Sequence, residues 1–158
     1  MPFERVYFKG QKNYNKFHNN FLDGRDYYDQ GLYSIALKYL LPAYGFNPDN
    51  AELNFMIGVC YLHSIYKDKA LKYLKKSWEL DPEFSKEIHF LIGKAYQYNY
   101  KFKEAKKEYY EYKISLSPNE LYDKTDMIQK KIAECNNGMI LMANPTGGMV
   151  VNLKTINS

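Results

Sequence analysis

Apolar residues recur at intervals of three and four along most of the chain, and short polar turns interrupt them. This spacing places the apolar side chains on one face of a helix, so it predicts amphipathic helices joined by turns. Proline cannot continue a helix, and the Asn47-Pro48, Asp81-Pro82 and Ser117-Pro118 pairs therefore mark helix ends. The predicted helices cover residues 14–30, 33–46, 51–64, 66 or 67–80, 84–98, 102–116 and 120–143.

The pattern repeats with a period of 34 residues between the first and second copies, and of 35 or 36 residues between the second and third. A repeat of this length with small residues at fixed points is typical of helical pairs stacked into a solenoid with a continuous binding surface. The sequence therefore predicts an all-α fold of three helical pairs, at about residues 14–48, 49–82 and 83–118, after an N-terminal extension at 1–13. Equivalent positions carry Gly24, Tyr27, Ala36, Leu40 and Pro48 in the first copy, Gly58, Tyr61, Ala70, Leu74 and Pro82 in the second, and Gly93, Tyr96, Ala105, Tyr109 and Pro118 in the third.

Gly58 lies inside a predicted helix, where glycine costs about 1 kcal/mol relative to alanine. The repeat explains this cost, because a residue without a side chain lets the paired helix approach closely. We expect Ala70, a small residue of the second helix, to lie at the same contact.

The repeat pattern ends at Pro118. We expect a capping helix within residues 119–144 that covers the last core face, as the end of a solenoid requires. This helix is expected to end at Asn144-Pro145, and the Asn-Asn-Gly sequence at 136–138 is a candidate for an earlier end or a kink. Residues 145–158 are predicted to form a linker and a short extended strand that lead to a further domain outside this chain.

Composition and charge narrow the choice of function. Of the 158 residues, 46% are hydrophobic and 25% are charged, as in ordinary globular proteins. The net charge of +4 is mild for a nucleic-acid-binding protein, and the glutamates among the lysines of residues 101–113 would repel phosphate. Nucleic-acid binding is therefore only a weak alternative.

No apolar run reaches the roughly 18 residues of a membrane span, and no signal peptide is visible at the N-terminus.

No catalytic or metal-binding motif is visible in the sequence. The chain lacks glycine-rich nucleotide loops and the paired-histidine zinc motif, and its histidines, His18, His63 and His89, are far apart along the chain. The cysteines, Cys60 and Cys135, provide neither metal-ligand spacing nor a disulfide framework. We therefore expect no enzyme activity, no cofactor and no bound metal.

The repeat resembles the tetratricopeptide repeat (TPR), and the likeness covers roughly residues 17–118. The chain departs from that motif in three ways: the family's first-helix tryptophan is absent, Asp23 replaces a leucine, and Tyr112 replaces an alanine. The resemblance implies a non-catalytic domain that binds proteins or peptides in a concave groove. The second copy follows the order of the motif with Ile57-Gly58, Tyr61, Ala70, Leu74, Ser77 and Pro82.

The resemblance also indicates which residues would line the groove. In TPR domains the first helix of each pair faces the groove, and counting from each repeat glycine selects positions on one helical face. Phenylalanines at three equivalent positions would form an apolar stripe for an extended or helical segment of a partner. The selected positions carry Phe21, Arg25 and Tyr28 in the first repeat, Phe55, Val59, Leu62 and His63 in the second, and Phe90, Lys94, Gln97 and Tyr98 in the third.

Two other interpretations of the phenylalanines stay open: ordinary packing between repeats, and occupation of the groove by the chain's own terminus.

One class of partner is disfavoured. TPR domains that bind chaperone tails use a clamp of lysine, asparagine and arginine, whereas the matching positions here carry Phe21, Arg25, Met56, Glu87 and Leu91. A chaperone's C-terminal dicarboxylate is therefore not the expected ligand.

The C-terminal part resembles a more specific arrangement. Residues 130–138, 142–145, 151–153 and 156–158 are similar to the junction after the N-terminal TPR region of OmpA-family envelope proteins. Those proteins continue with a β-propeller and a peptidoglycan-binding domain, and some serve type IX secretion and gliding. The resemblance implies a periplasmic scaffold associated with the outer membrane, without direct membrane insertion by this segment.

We therefore expect a protein-interaction scaffold that assembles or anchors a secretion-linked complex. One alternative is a free-standing TPR adaptor inside the cell, which would be cytoplasmic. A second alternative is a structural module that associates with itself into a homo-oligomer.

Overall fold

The computed structural model describes residues 1–144, and within them seven α-helices and two short 3₁₀-helices follow one another without a strand. The all-α prediction is confirmed for this part of the chain, whereas the extended tail predicted at 145–158 lies outside the described residues. The 3₁₀-helices cover Arg5–Phe8, before α1, and Lys67–Lys69, directly before α4. The α-helices are α1 (Tyr14–Asp29), α2 (Tyr33–Phe46), α3 (Ala51–Leu62), α4 (Ala70–Leu80), α5 (Ile88–Tyr98), α6 (Phe102–Ser115) and α7 (Pro118–Ala143).

The helices pack as successive pairs. Helix α1 packs on α2, α3 on α4 and α5 on α6, while contacts of α2 with α3, α4 with α5 and α6 with α7 join the pairs into a stack. Packing restricted to neighbouring units is the arrangement of a helical-repeat solenoid. Helix α3 also contacts both α1 and α5 directly, so the first helices of the pairs lie side by side. We call the side of the stack formed by α1, α3 and α5 the inner face.

The repeat glycines bring the two helices of a pair close together. A Cβ atom built on Gly58 would lie 2.6 Å from Cγ of Leu74, and one on Gly24 would lie 2.7 Å from Cγ of Leu40. The close approach predicted at Gly58 is therefore confirmed. The three heavy atoms nearest that position all belong to Leu74, so Ala70, although buried, is not the residue that the missing side chain accommodates.

Helix α5 begins at Ile88, four residues later than predicted. The side chains of Asp81 and Ser85 accept hydrogen bonds from the backbone N–H groups of Glu83 and Glu87, at 3.1 and 3.2 Å. Such local bonds stabilise turns in competition with a helix. They hold the connection between α4 and α5 out of the helical conformation.

Helix α3 ends at Leu62, two residues before the predicted end. The hydroxyl of Ser64 donates to the carbonyl of Tyr61 at 2.9 Å and accepts the N–H of Tyr66 at 3.0 Å. These bonds form a turn after the helix. The 3₁₀-helix that follows then leads into α4, which begins at Ala70 rather than at residue 66 or 67.

Helix α7 begins at Pro118, since proline suits the first position of a helix. The N–H and the hydroxyl of Ser117 both donate to Oε2 of Glu120, at 3.0 and 2.7 Å, and fix this start. The helix then runs through Gly138 to Ala143, so the earlier end considered at 136–138 is wrong. Cys135 of α7 is completely buried against α6, which agrees with the capping role expected of this helix.

Residues 1–13 pack on the first repeat and are part of the core. Phe3 and Phe8 are buried, with 6% and 4% of their surface exposed. The ring of Phe3 stacks on those of Phe21 and Phe46, with centroids 5.1 and 6.0 Å apart. Aromatic pairs of this geometry stabilise beyond the area that they bury. The segment therefore covers apolar surface of the first repeat, on α1 and at the end of α2.

Candidate functional site

The residues predicted for the groove all lie on the helices of the inner face, except His63, which directly follows α3. Three of them, Phe21, Val59 and Leu62, are buried and supply packing instead of a contact surface. The others are at least partly open to solvent, and they are Arg25, Tyr28, Phe55, His63, Phe90, Lys94, Gln97 and Tyr98.

Phe21 is covered by the N-terminal segment. Only 4% of its surface is exposed, because the ring of Phe3 stacks on it. The guanidinium of Arg25 lies 5.5 Å from the centre of the same ring, within range of a cation–π contact. The phenylalanines were interpreted as a partner-binding stripe, as packing between repeats or as residues covered by the chain's own terminus. Phe21 fits the last of these interpretations.

Charged and aromatic pairs join the first repeat to the second on the inner face. Nη1 of Arg25 lies 3.6 Å from Oε1 of Glu52, and both side chains are partly exposed. Beyond them, the ring of Tyr33 stacks on that of His63 at 4.3 Å and meets the ring of Tyr28 edge-on at 5.9 Å. These contacts bring Tyr28 and His63, two of the predicted residues, into one aromatic cluster.

Burial affects the ionisation of this cluster. Burial raises the pKa of Tyr28 to about 12, so its phenol stays neutral and can donate a hydrogen bond. The pKa of His63 is lowered, first because the stacked ring of Tyr33 keeps water from one side of the imidazole, and then by the positive charges of Lys94 and Lys67. Both effects favour the neutral imidazole.

Phe55 and Phe90 have different surroundings, although they occupy equivalent positions. The ring of Phe55 meets that of Phe84 edge-on at 5.4 Å, and both remain partly exposed. The ring of Phe90 instead packs on Tyr109 and Tyr112 of α6, with centroids 5.6 and 5.3 Å apart. Packing within the repeat is therefore the better description of Phe90, whereas Phe55 and Phe84 form an accessible apolar pair.

A hydrogen-bonded chain fixes α7 beside the third repeat. The hydroxyl of the buried Tyr109 donates to Oε1 of Gln97 at 2.6 Å, and Nε2 of Gln97 donates to Oε2 of Glu134 at 3.0 Å. Nζ of Lys131 donates to the same oxygen of Glu134 at 2.7 Å. The amide of Gln97 is thus used to orient α7, and this predicted groove residue has a structural role.

A small pocket opens where α5 meets α7. Its volume is about 180 Å³, and Lys94 lies in its wall without a carboxylate within 4.0 Å among residues 1–144. Burial lowers the pKa of Lys94, and the charge of Lys131 lowers it further, while Glu87 acts in the opposite direction. The pocket is lined by Lys94, Gln97, Tyr98, Phe102, Lys131 and Glu134.

A histidine–carboxylate pair lies away from this face, between α5 and α6. Nδ1 of His89 and Oε2 of Glu108 are 2.7 Å apart, and the indole of Trp78 lies edge-on to the imidazole at 5.8 Å. Within the described residues no hydroxyl or thiol hydrogen-bonds to this histidine, and no group of three or more ligating side chains is placed to hold a metal ion. The pair joins the two helices.

No protein-family model matches this chain, and no curated protein is similar to it. None of the helices in residues 1–144 is both long enough and apolar enough to cross a membrane.

Several residues of this surface were not among those predicted from the sequence. Glu52 could have been found, since it lies one helical turn before Phe55 and shares its face. Lys67 is equivalent to Tyr33 by the 34-residue period, and its Nζ lies 5.6 Å from the centre of the Tyr98 ring. Lys131 and Glu134 could not be found, because α7 lies outside the repeat and its register against α5 is set by packing.

Proposed function

We propose that the chain is a non-catalytic interaction module that binds another protein on its inner face, as TPR domains do. The observation that carries the proposal is the arrangement of unburied aromatic and charged side chains along α1, α3 and α5. Phe55, His63 and Tyr98 are open to solvent on this side, and Arg25 and Lys94 add positive charge. Accessible aromatic residues with charged neighbours are typical of protein-binding surfaces.

The test is capture of partners by the full chain, compared between variants. A His63→Glu, Tyr98→Ser variant changes two exposed residues of the inner face, and Lys72→Glu, Tyr110→Ser is the control on α4 and α6. Phe90→Ala is a poor choice, because that ring packs on Tyr109 and Tyr112 and its loss would disturb the repeat.

The proposal expects the inner-face variant to lose partners that wild type and the control variant both retain, with helical circular dichroism unchanged in all three. Equal capture by both variants would remove the inner face as the binding surface.

We further propose that this module belongs to an OmpA-family envelope protein and helps to anchor a secretion-linked complex. The support is the resemblance of residues 130–138, 142–145, 151–153 and 156–158 to the junction in those proteins. An antibody to this domain should then detect, in the envelope fraction of the source cells, a band much heavier than a 158-residue chain. A band of the size of this chain in the soluble fraction would favour the free-standing adaptor.

A further inference from the structure

We propose that the pocket between α5 and α7 receives a carboxylate side chain from an acidic segment of the partner, with Lys94 as the cation that binds it. This inference rests on the proposed function, because it assumes a partner on the inner face, and it adds the chemistry of that partner. The pocket of about 180 Å³ is several times the roughly 30 Å³ that one water occupies in the liquid, and smaller than the roughly 300 Å³ of the smallest ligand sites. It therefore suits one side chain.

The ion pairs around the pocket leave Lys94 as its free cation within the described residues. Lys131 is paired with Glu134 at 2.7 Å, and Lys124 with Glu87 at 3.2 Å. Both nearby carboxylates are thus already paired, and Lys94 has none within 4.0 Å in residues 1–144. A carboxylate from outside would supply the missing partner through a charge-assisted hydrogen bond.

A second lysine extends the positive charge along the same face. Nζ of Lys67 donates to the carbonyl of Ser64 at 2.7 Å and lies 5.6 Å from the centre of the Tyr98 ring. Within the described residues it also lacks a carboxylate partner. The lowered pKa of Lys94 agrees with this charge distribution, because burial and the charges of Lys131 and Lys67 all disfavour its ammonium form. A bound carboxylate would relieve that penalty.

The walls of the pocket favour a peptide over a nucleic acid. Tyr98 and Phe102 provide apolar surface for the methylene groups of a glutamate or aspartate side chain. The carboxylates of Glu52 on α3, Glu87 directly before α5 and Glu134 on α7 would repel a continuous row of phosphates. A peptide that carries one or a few acidic residues avoids most of this repulsion.

The test uses isothermal titration calorimetry at low salt to measure binding of an eight-residue glycine–serine peptide with two central glutamates to the full chain. The matching peptide with two glutamines is the uncharged probe, and the termini of both peptides are acetylated and amidated. Lys94→Gln removes the proposed cation, and Lys94→Arg keeps its charge. Lys72→Gln is the matched control, because Lys72 is an exposed lysine of α4, outside the inner face. Backbone amide shifts of ¹⁵N-labelled protein show where the peptide binds.

We expect Lys94→Gln to weaken binding about tenfold, the size expected for one lost hydrogen bond to a charged group. Lys94→Arg and Lys72→Gln should bind within about twofold of wild type, as is usual for changes that keep the contact or lie away from it. The amide shifts should centre on α5 and α7, and the glutamine peptide should not bind.

Equal weakening by Lys94→Gln and Lys72→Gln would overturn the inference, since net charge alone would then explain binding. Absence of glutamate-peptide binding, or tighter binding of an eight-residue oligothymidylate, would overturn it as well. Each of these results would leave the proposed function standing if the inner-face variant still loses its captured partners, so the two proposals can fail separately.

Discussion

A single methyl group added at Gly58 is expected to destabilise the folded chain. In a Gly58→Ala variant the new Cβ would lie 2.6 Å from Cγ and 2.7 Å from Cδ2 of Leu74, and 3.2 Å from its backbone nitrogen. Carbon atoms in proteins normally approach only to about 3.5–4.0 Å. Leu74 is completely buried, so its side chain cannot move out towards solvent without losing its packing contacts. The two helices of the repeat must therefore separate slightly.

Two opposing terms set the magnitude of this effect. Alanine stabilises a helix interior by about 0.5–1 kcal/mol relative to glycine, whereas overpacking a filled core costs about 1–3 kcal/mol. The expected net loss is roughly 1 kcal/mol in the free energy of unfolding.

Gly45 provides the matched control for this change. It lies in α2, and apart from its chain neighbours and the local helix backbone no heavy atom lies within 4 Å of its Cβ position. Gly45→Ala should therefore gain up to about 1 kcal/mol. The difference between the two variants, about 2 kcal/mol, measures the overlap at Leu74.

The assay is urea unfolding followed by helical circular dichroism. A double-mutant cycle with Leu74→Ala tests the assigned partner, because removing the leucine side chain makes room for the new methyl group. In that background Gly58→Ala should no longer destabilise the chain. The reasoning is refuted if Gly58→Ala is at least as stable as wild type, or if its cost is unchanged when Leu74 is alanine.

Three further predictions concern a helix cap, the N-terminal segment and a thiol. Asn50→Ala should cost about 1 kcal/mol in urea unfolding, because its Oδ1 accepts the N–H of Leu53 at 2.7 Å. Phe3→Ala should cost about 3 kcal/mol in the same assay, as for a buried ring. If either variant is as stable as wild type, the contact assigned to the replaced side chain is wrong. Burial raises the pKa of Cys60 to about 12, so its thiol should react with a disulfide reagent at about pH 8.5 only after unfolding. The free energy of unfolding should also fall as the pH rises above about 8.5, because the thiol of the unfolded chain loses its proton first. Rapid labelling of Cys60 in the folded chain would show that its thiol is not buried.

The helical-repeat fold could be predicted from the sequence because its period is carried by residues with a direct packing role. Gly24 and Gly58 each face a leucine sixteen residues later, and this offset repeats with the helical pair. Turns held by side-chain hydrogen bonds were harder to predict. The bonds of Asp81 and Ser85 that delay α5 involve residue types that are common in many conformations.

The binding surface was only partly predictable. Periodicity identifies the side of a helix on which a residue lies, but not which neighbour covers it. Phe21, Phe55 and Phe90 are equivalent by period, yet Phe3 covers the first and α6 packs against the third. The first difference depends on the N-terminal segment, which lies outside the repeat, and the second depends on the tyrosines that α6 carries at positions 109 and 112.

The central claim, that the inner face binds another protein, is tested most directly by site-specific photo-crosslinking in the source cells. A photoreactive phenylalanine analogue would replace Tyr98 on the inner face or, in the control, Lys75 on α4, both of which are exposed. The account predicts a discrete heavier adduct from the Tyr98 position and none from the Lys75 position. Adducts of equal yield from both positions, or an adduct from Lys75 alone, would contradict it.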